Sequence, residues 1–190
     1  MKTYLFMKKD KLLVAFAVGV GAAAVGVTAY KLLSKDIPDG AIAVEPFDKA
    51  RYMGSWNEIA RLPNFVENNL KNVIEEYTDN GDGTFKVVTR VLNFKTNELK
   101  ELTGIIKSAG AEDVGMLKVS YLGPLFLAYN VLDIDDDYKY ALVSGSSINY
   151  LWILSRENSV PDDIKQRFLK LAQSIGFAIE KLEWPEILTG

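Results

Sequence analysis

Between residues 54 and 156 the chain consists of short runs rich in β-branched and aromatic residues, separated by turn residues. This pattern is typical of an antiparallel all-β domain. It predicts eight strands, at residues 54–62, 72–79, 84–94, 99–107, 116–122, 126–134, 138–144 and 149–156. Eight antiparallel strands close an up-and-down β-barrel, whose interior is either filled by side chains or holds one small ligand. The predicted fold class is therefore all-β, an eight-stranded antiparallel up-and-down barrel.

The strongest hairpin signal is the sequence DNGDG at residues 79–83, which lies between two of these runs. Asn-Gly and Asp-Gly pairs supply the positive φ angles that a tight hairpin turn requires. In the arm that follows, alternate residues share one face, and the mostly apolar set is predicted to point inward. That set is Phe85, Val87, Thr89 and Val91.

Residues 159–177, SVPDDIKQRFLKLAQSIGF, predict one C-terminal α-helix. Ser159 is the predicted N-cap, Pro161 suits the first turn, and Gly176 supplies the stop. Apolar residues recur at helical spacing, at Ile164, Phe168, Leu171, Ala172 and Ile175. This apolar face is predicted to pack on the outside of the barrel. Residues 177–184 are expected to return as an extended segment.

The N-terminal region has a different pattern, because residues 12–30 contain no charged residue and follow a lysine-rich flank at residues 1–11. About 20 apolar residues suffice for a helix to cross a bilayer, and a basic flank is typical of the cytoplasmic side. The pattern predicts an N-terminal hydrophobic helix, so residues 1–33 are a membrane anchor or a signal segment. The retained anchor is favoured, although Val27-Thr28-Ala29 offers a site at which a secretory signal is cleaved.

Residues 34–46 contain Pro38, Gly40 and Pro46, and this composition predicts a linker that ends by docking on the domain. The remaining residues, 47–190, are then the folded domain. This division places the membrane-directed segment and the barrel in separate parts of the chain.

The 190 residues include no cysteine and no histidine. Thiol nucleophiles, imidazole bases and the commonest zinc and copper ligands are therefore excluded, and no metal or cofactor is predicted. A lipid anchor attached through cysteine is excluded as well. Residues 1–33 hold five lysines and one aspartate, so the rest of the chain has a net charge of −7, against −3 for the whole. Such an acidic domain is not expected to bind nucleic acid.

Five motifs over about residues 44–186 resemble those of the lipocalins, and within them the bacterial outer-membrane type related to apolipoprotein D. They are Gly54-Ser55-Trp56 with Glu58-Ile59-Ala60-Arg61, LKVSYLGPLF at 117–126, YNVLDID at 129–135, DDYKYALV at 136–143 and YLWILSR at 150–156. The family usually carries Trp-Tyr-Glu where this chain has Trp56-Asn57-Glu58. The missing aromatic alters local packing, but residue 57 faces away from Trp56 in a strand, so the pocket need not change.

The resemblance implies a structural cluster at the closed end of the barrel, formed by Gly54, Trp56 and Arg156. In lipocalins the tryptophan lies across that end and the arginine covers it. A guanidinium on an indole face gains about 0.5–2 kcal/mol of cation–π attraction. Gly54 allows the backbone to bend tightly beside the large ring. The cluster is expected to stabilise the fold and to have no part in chemistry.

Strand alternation places Tyr150, Trp152 and Leu154 on the same face as Arg156, so these residues are predicted to line the interior. On strand 126–134 both faces contain candidates, and the inward face is left open. The resemblance favours the neighbourhood of Tyr129 and Asn130. The predicted ligand-binding set is Tyr150, Trp152, Leu154, Tyr129, Asn130 and Phe126.

The resemblance implies non-catalytic binding, storage or transport of small hydrophobic ligands in the barrel cavity, at the bacterial cell envelope. Fatty acids and lysophospholipids are the ligands that it suggests, with membrane contact through residues 1–33 or export to the periplasmic or extracellular side. Two alternatives are a membrane-anchored protein-interaction module with a residual cavity and, less favoured, a lipid-modifying enzyme. Whether the barrel forms a homodimer is left open.

Overall fold

The computed structural model describes residues 36–63, 70–93 and 98–185, with backbone alone at 70–72 and 93. Its strands are β1 (Gly54–Arg61), β2 (Leu70–Asp79), β3 (Thr84–Asn93), β4 (Glu98–Ser108), β5 (Met116–Leu122), β6 (Leu125–Ile134), β7 (Tyr140–Ser144) and β8 (Leu151–Ser155). Each strand pairs antiparallel with the next, and β8 pairs with β1 to close the barrel. The predicted eight-stranded closed barrel is confirmed.

Two helices accompany the barrel in the described ranges, α1 (Lys49–Tyr52) before β1 and α2 (Asp162–Ile175) after β8. The predicted N-terminal hydrophobic helix falls outside the residues that the structure describes. Of the helices in the described ranges, none combines the length and the apolar character that crossing a membrane would require.

The strand connections lie at two opposite ends of the barrel. The β2–β3, β4–β5 and β6–β7 connections share one end with the start of β1 and the end of β8. Helix α1 lies at this end, where Tyr52 is buried and its carbonyl accepts a hydrogen bond of 2.9 Å from Trp56 Nε1. We call it the closed end. The far end carries the β1–β2, β3–β4, β5–β6 and β7–β8 connections.

The β2–β3 turn has the predicted hairpin geometry. Gly81 and Gly83 adopt φ angles of +76° and +83°, which L side chains rarely tolerate. Asp79 Oδ1 accepts a 2.8 Å bond from the Gly81 amide, and Asp82 Oδ1 accepts a 2.9 Å bond from the Thr84 amide. This turn sets the register of β2 against β3, in which Asp79 pairs with Phe85 at the base of the turn.

Two apolar clusters divide the core between the inside and the outside of the barrel wall. In β8, Leu154 and Trp152 belong to the interior cluster, whereas Leu151 and Ile153 belong to the outer one. The outer cluster lies beneath α2, whose Phe168 is fully buried in it. The prediction that the helix packs outside the barrel is confirmed.

The ends of α2 agree only partly with the prediction. Gly176 ends the helix with φ +104°, and its amide donates to the Ala172 carbonyl at 3.2 Å. The predicted cap at Ser159 is wrong, because Pro161 occupies the N-cap position and makes no side-chain cap bond. Ser159 lies two residues too early, and its carbonyl accepts a bond from Ser155 Oγ instead.

The chain after α2 was predicted to be extended, but Ile179–Lys181 form a short 3₁₀ helix. This turn places Ile179 and Leu182 three residues apart, so both pack against the outer cluster. Beyond it, Glu183 exchanges two backbone hydrogen bonds with Arg61, at 2.9 and 3.1 Å. The C-terminal segment therefore pairs with the last residue of β1, near the far end of the barrel.

Candidate ligand site inside the barrel

The closed end is organised around a stacked tryptophan and arginine. Trp56 is completely buried, and the guanidinium carbon of Arg156 lies 4.2 Å from its ring centroid. Arg156 Nη2 donates to the carbonyls of Arg51 and Met53, at 2.8 Å each, and Nε donates to the Tyr138 carbonyl at 2.7 Å. One side chain thus connects α1, the start of β1 and the β6–β7 turn.

Gly54 has two separate reasons to be glycine. Its φ angle of +96° lies in the region that L side chains rarely adopt. A Cβ atom at this position would also lie 3.1 Å from Arg156 Nη1, which is closer than ordinary contact. The residue therefore leaves the space in which the guanidinium lies against Trp56.

Three tyrosine hydroxyls meet inside the barrel beside Trp56. The Tyr52 and Tyr129 hydroxyl oxygens are 2.6 Å apart, and those of Tyr129 and Tyr77 are 2.9 Å apart. Tyr129 reaches across the interior from β6 to Tyr77 on β2. Burial raises the pKa of all three hydroxyls above the ordinary value, so each one stays neutral and keeps its proton.

The direction of these hydrogen bonds follows from proton counting. The Tyr77 hydroxyl donates its single proton to the carboxylate of Glu75. When Glu75 is ionised, Tyr77 is therefore the acceptor in its contact with Tyr129, and Tyr129 is the donor. By the same reasoning Tyr52 donates to Tyr129. The chain of donors runs from Tyr52 to Glu75, which accepts at its end.

Glu75 faces the interior, as its hydrogen bond to the inward Tyr77 requires. In the strand register it lies between Trp56 of β1 and Thr89 of β3. Burial raises the pKa of Glu75 to about 7, and the neighbouring charge of Glu58 adds to this effect. Hydrogen bonds from Tyr77 and Thr89 oppose it without cancelling it.

A buried ion pair lies on the adjacent wall, where Arg61 Nη1 is 2.5 Å from Glu58 Oε1. A β-bulge follows Glu58, so Glu58 pairs with Leu154 and Arg61 pairs with Trp152, both residues of the interior cluster. Burial raises the pKa of Glu58, and the charge of Arg61 opposes that shift. Arg61 Nη2 also lies 3.6 Å from Glu183 Oε2.

Three of the predicted lining residues lie on β8 or in the turn before it. Leu154 is buried in the interior cluster, and Trp152 packs against the same cluster while remaining partly exposed. Tyr150 lies in the β7–β8 turn rather than in the strand, and its ring stacks on Trp152 with centroids 6.3 Å apart. These residues lead from the middle of the barrel toward the far end.

Strand β6 turns Tyr129 inward, together with Leu127 and Val131. Asn130 consequently faces outward, where its Nδ2 donates to the carbonyls of Asp36 at 2.8 Å and Gly145 at 3.1 Å. This placement corrects the prediction for Asn130, which is not part of the interior.

Phe126 shares the outward face of β6 by the same alternation. The Nζ atom of Lys107 lies 4.1 Å from its ring centroid, and Lys107 follows the inward-facing Ile106 on β4. The prediction of Phe126 as a lining residue is therefore corrected as well.

Sequence reasoning missed the polar part of the interior. Neither Glu58 nor Glu75 is among the predicted interior residues, since acids on a barrel usually face water. The signal that could have identified Glu75 is its spacing of two residues from Tyr77, which predicts a shared face. No comparable signal exists for Arg61, because its inward direction depends on the bulge.

This architecture defines a class: a closed eight-stranded barrel of the size that either fills with side chains or holds one small ligand. A family model for the lipocalin-like domain matches residues 47–187, and the chain belongs to the lipocalin family. Lipocalins of this kind are generally non-catalytic binding proteins, in agreement with the prediction of non-catalytic binding for this chain.

Outer membrane lipoprotein Blc of Escherichia coli K12 is 36% identical over 165 residues, which cover 87% of this chain and 93% of that protein. Apolipoprotein D of Mus musculus is 26% identical over 147 residues, covering 73% of this chain and 76% of that protein. The structure of insecticyanin from the tobacco hornworm Manduca sexta superposes with a TM-score of 0.67 at 22% identity, over 79% of this chain and 85% of that chain. The resemblance to bacterial outer-membrane lipocalins related to apolipoprotein D is confirmed.

Proposed function

We propose that this protein binds small amphiphilic lipids inside the barrel and stores or carries them at the bacterial cell envelope. Fatty acids and lysophospholipids are the candidate ligands, with an acyl chain inside the barrel. Membership of a family that binds small hydrophobic ligands supports the general activity. The ligand class and the location are the parts that require experiment.

The observation that carries the proposal is a gradient of burial along the interior. Near the closed end, inward residues such as Trp56 and Val87 have no exposed surface. Farther along the barrel, Leu127, Tyr121 and Trp152 pack against the same cluster but keep exposed surface. This difference supports an interior that is filled at the closed end and has space toward the far end.

The chemistry of that space suits an alkyl chain. Leu127 and Trp152 present apolar surface, and each methylene group transferred from water contributes about 0.8 kcal/mol. A chain of ordinary lipid length therefore gains enough free energy for micromolar binding. Of the predicted contacts, Trp152 and Tyr150 lie toward this space, whereas Leu154 and Tyr129 are buried in the interior cluster.

For location, we propose that residues 1–33 hold the barrel at a membrane or direct its export, and that residues 47–190 form the binding domain. None of the 190 residues is a cysteine, so no lipid is attached through a cysteine of this sequence. Similarity to an outer membrane lipoprotein supports an envelope location. The two proteins would therefore reach the envelope by different kinds of attachment.

A second candidate function is a membrane-held module that binds a protein partner at the far end of the barrel. Large apolar side chains are exposed at that end, among them Leu122 and Leu125 at the facing ends of β5 and β6, and Ile148 in the β7–β8 connection. Exposed apolar patches of this kind occur at protein and membrane contacts. The lipid-binding proposal ranks first because the burial gradient concerns the interior itself.

The test is native mass spectrometry of the protein purified from bacteria, followed by organic extraction of any bound molecule. An added mass that matches a single-chain lipid supports the proposal and identifies the ligand. A ligand-free mass that stays unchanged after incubation with fatty acids and lysophospholipids favours the partner-binding module.

A matched pair of variants locates the binding site. We expect Trp152→Ala to weaken lipid binding about tenfold or more, because it removes apolar surface from the interior. Trp184→Ala is the control, since Trp184 lies outside the barrel beneath Lys165 and is 39% exposed. Equal affinities for the two variants, measured by titration with the extracted lipid, would exclude Trp152 from the site.

A further inference from the structure

We infer that Glu75 is the anchor for one end of the ligand. The barrel then selects amphiphiles whose inner end carries a hydrogen-bond donor, an ammonium or a hydroxyl group, over those that carry a carboxylate. This inference rests on the proposed function and refines it by naming the inner end group of the ligand, which disfavours a fatty acid bound with its carboxylate inward. It is carried by the position of Glu75, its hydrogen bonds and the charges around it.

The position of Glu75 combines an interior side chain with incomplete burial. Its neighbours in the register, Trp56 and Thr89, are buried, whereas Glu75 itself remains partly exposed. The side chain shares the inward face with Tyr77, so its accessible surface opens into the barrel rather than toward the outside. The inference requires one end of a ligand in the interior to reach this carboxylate.

The hydrogen bonds of this carboxylate leave it with unused acceptor capacity. An ionised carboxylate offers about four lone-pair sites. Tyr77 and Thr89 are the hydrogen-bond partners that act on its pKa, and together they occupy about two of these sites. A hydroxyl or ammonium group of a ligand would occupy the remaining ones.

The tyrosines beside Glu75 offer no comparable site for a ligand acceptor. When Glu75 is ionised, Tyr77 donates to it. Proton counting then makes Tyr129 the donor to Tyr77 and Tyr52 the donor to Tyr129, so each of the three protons is already used. A ligand carboxylate placed here would face another carboxylate without a hydroxyl proton from these three residues. Like charges at close range oppose each other most strongly where water is excluded.

The other charged and titratable groups that face Glu75 come from several elements. From β1, Glu58 and Arg61 face it as an ion pair, in which Arg61 is already bound to Glu58 and close to Glu183. The remaining groups are Tyr52 of α1, Tyr77 of β2, Tyr121 of β5, Tyr129 of β6 and Arg156 beyond Trp56, with Lys100 at an inward position of β4 nearer the far end. Burial, Tyr77, Glu58 and Thr89 are the main influences on the pKa of Glu75, and none of them is a cation.

The test uses the full chain in nanodiscs, with empty nanodiscs as the blank. Three probes share one alkyl chain and differ only at the end group: dodecylamine, dodecanol and dodecanoate. Affinities are measured at about pH 8, where an alkylamine is protonated and Glu75 is mostly ionised. We expect the wild type to bind dodecylamine most tightly and dodecanoate least tightly.

The variant Glu75→Gln removes the charge and keeps the shape. We expect it to weaken dodecylamine binding about tenfold or more, as for a charge-assisted hydrogen bond, and not to weaken dodecanoate binding. Glu76→Gln is the matched control, because Glu76 is the next residue, faces outward and pairs with Arg90 at 2.9 Å. It should leave all three affinities unchanged.

The outcomes separate the inference from the proposed function. If the wild type binds all three probes with equal affinity, or prefers dodecanoate, the inference is overturned and lipid binding stands. If no probe binds, the proposed function fails as well. The wild-type ranking alone decides these cases, so the test holds even where Glu75→Gln does not fold.

Discussion

The barrel contains two charged side chains next to Trp56, and they differ in how much of their hydrogen-bonding capacity is used. Arg156, on one side, donates to four backbone carbonyls, those of Tyr138, Ser55, Arg51 and Met53. Glu75, which pairs with Trp56 in the sheet, accepts from Tyr77 and Thr89 and remains partly exposed toward the interior. A charge that is bound to several backbone carbonyls holds the fold together, whereas one with unused hydrogen-bonding capacity is available to a ligand.

This difference leads to opposite expectations for mutation. Replacing Arg156 removes bonds that exist in every molecule, with or without ligand, and should cost stability. Replacing Glu75 removes a charge whose burial is unfavourable, and should cost ligand selectivity while improving stability above neutral pH.

The largest effect is expected for Arg156→Ala. The loss of charge-assisted hydrogen bonds and of the cation–π contact with Trp56 should lower the free energy of unfolding by about 4 kcal/mol. Lys165→Ala is the control, since Lys165 lies 4.0 Å above the Trp184 ring at the surface. It should cost about 0.5 kcal/mol. Chemical denaturation of both variants measures this, and similar losses would remove the distinction drawn for Arg156.

The ionisation of Glu75 should make the free energy of unfolding depend on pH. Its carboxyl has an ordinary pKa of 4.5 and a pKa of about 7 in the folded protein. Between these values the folded state binds more protons than the unfolded state, so the contribution of Glu75 to stability falls as pH rises. The stability lost by about pH 8 amounts to up to about 3 kcal/mol.

Glu75→Gln should therefore match the wild type at about pH 4 and exceed its stability at about pH 8. Thermal unfolding of both proteins across this range measures the difference. Glu76→Gln again serves as the control, because Glu76 is an outward acid whose side chain is 44% exposed. A wild type that is more stable than Glu75→Gln at the higher pH would mean that the charge of Glu75, like that of Arg156, holds the fold together.

A smaller effect is expected for Gly54→Ala, which tests the space around Arg156. Gly54 has φ +96°, and a Cβ atom would lie 3.1 Å from Arg156 Nη1. We expect a loss of about 2–3 kcal/mol, of which backbone strain alone accounts for about 1 kcal/mol. Gly81→Ala isolates the strain, since Gly81 has φ +76° and a Cβ atom there would meet no other atom within 4 Å. Equal losses in urea denaturation would show that contact with Arg156 is unimportant.

Much of the fold could be predicted because its signals are local. The turn at residues 79–83 and the apolar spacing of α2 depend on neighbours a few residues apart, and both agree with the structure. Alternation along β8 likewise placed Trp152 and Leu154 on one face. The cap at Ser159 failed because the helix start depends on how the chain leaves β8.

The polar interior could not be predicted to the same extent. Alternation divides β6 into two faces, but it does not say which face Tyr129 or Asn130 occupies. Closure of the barrel makes that choice, since it turns Tyr129 toward Tyr77 on the opposite wall. The donor chain that ends at Glu75 exists only after three distant segments meet.

The sequence by itself determined the eight strands, the hairpin, the outer helix and the family. These depend on short-range periodicity and on motifs that stand in order along the chain. Only the tertiary structure decided which charges face inward, because a bulge after Glu58 redirects Arg61 and the strand register places Glu75 beside Trp56. Burial and hydrogen bonding then set the protonation of these groups, and both depend on contacts between residues far apart in the chain.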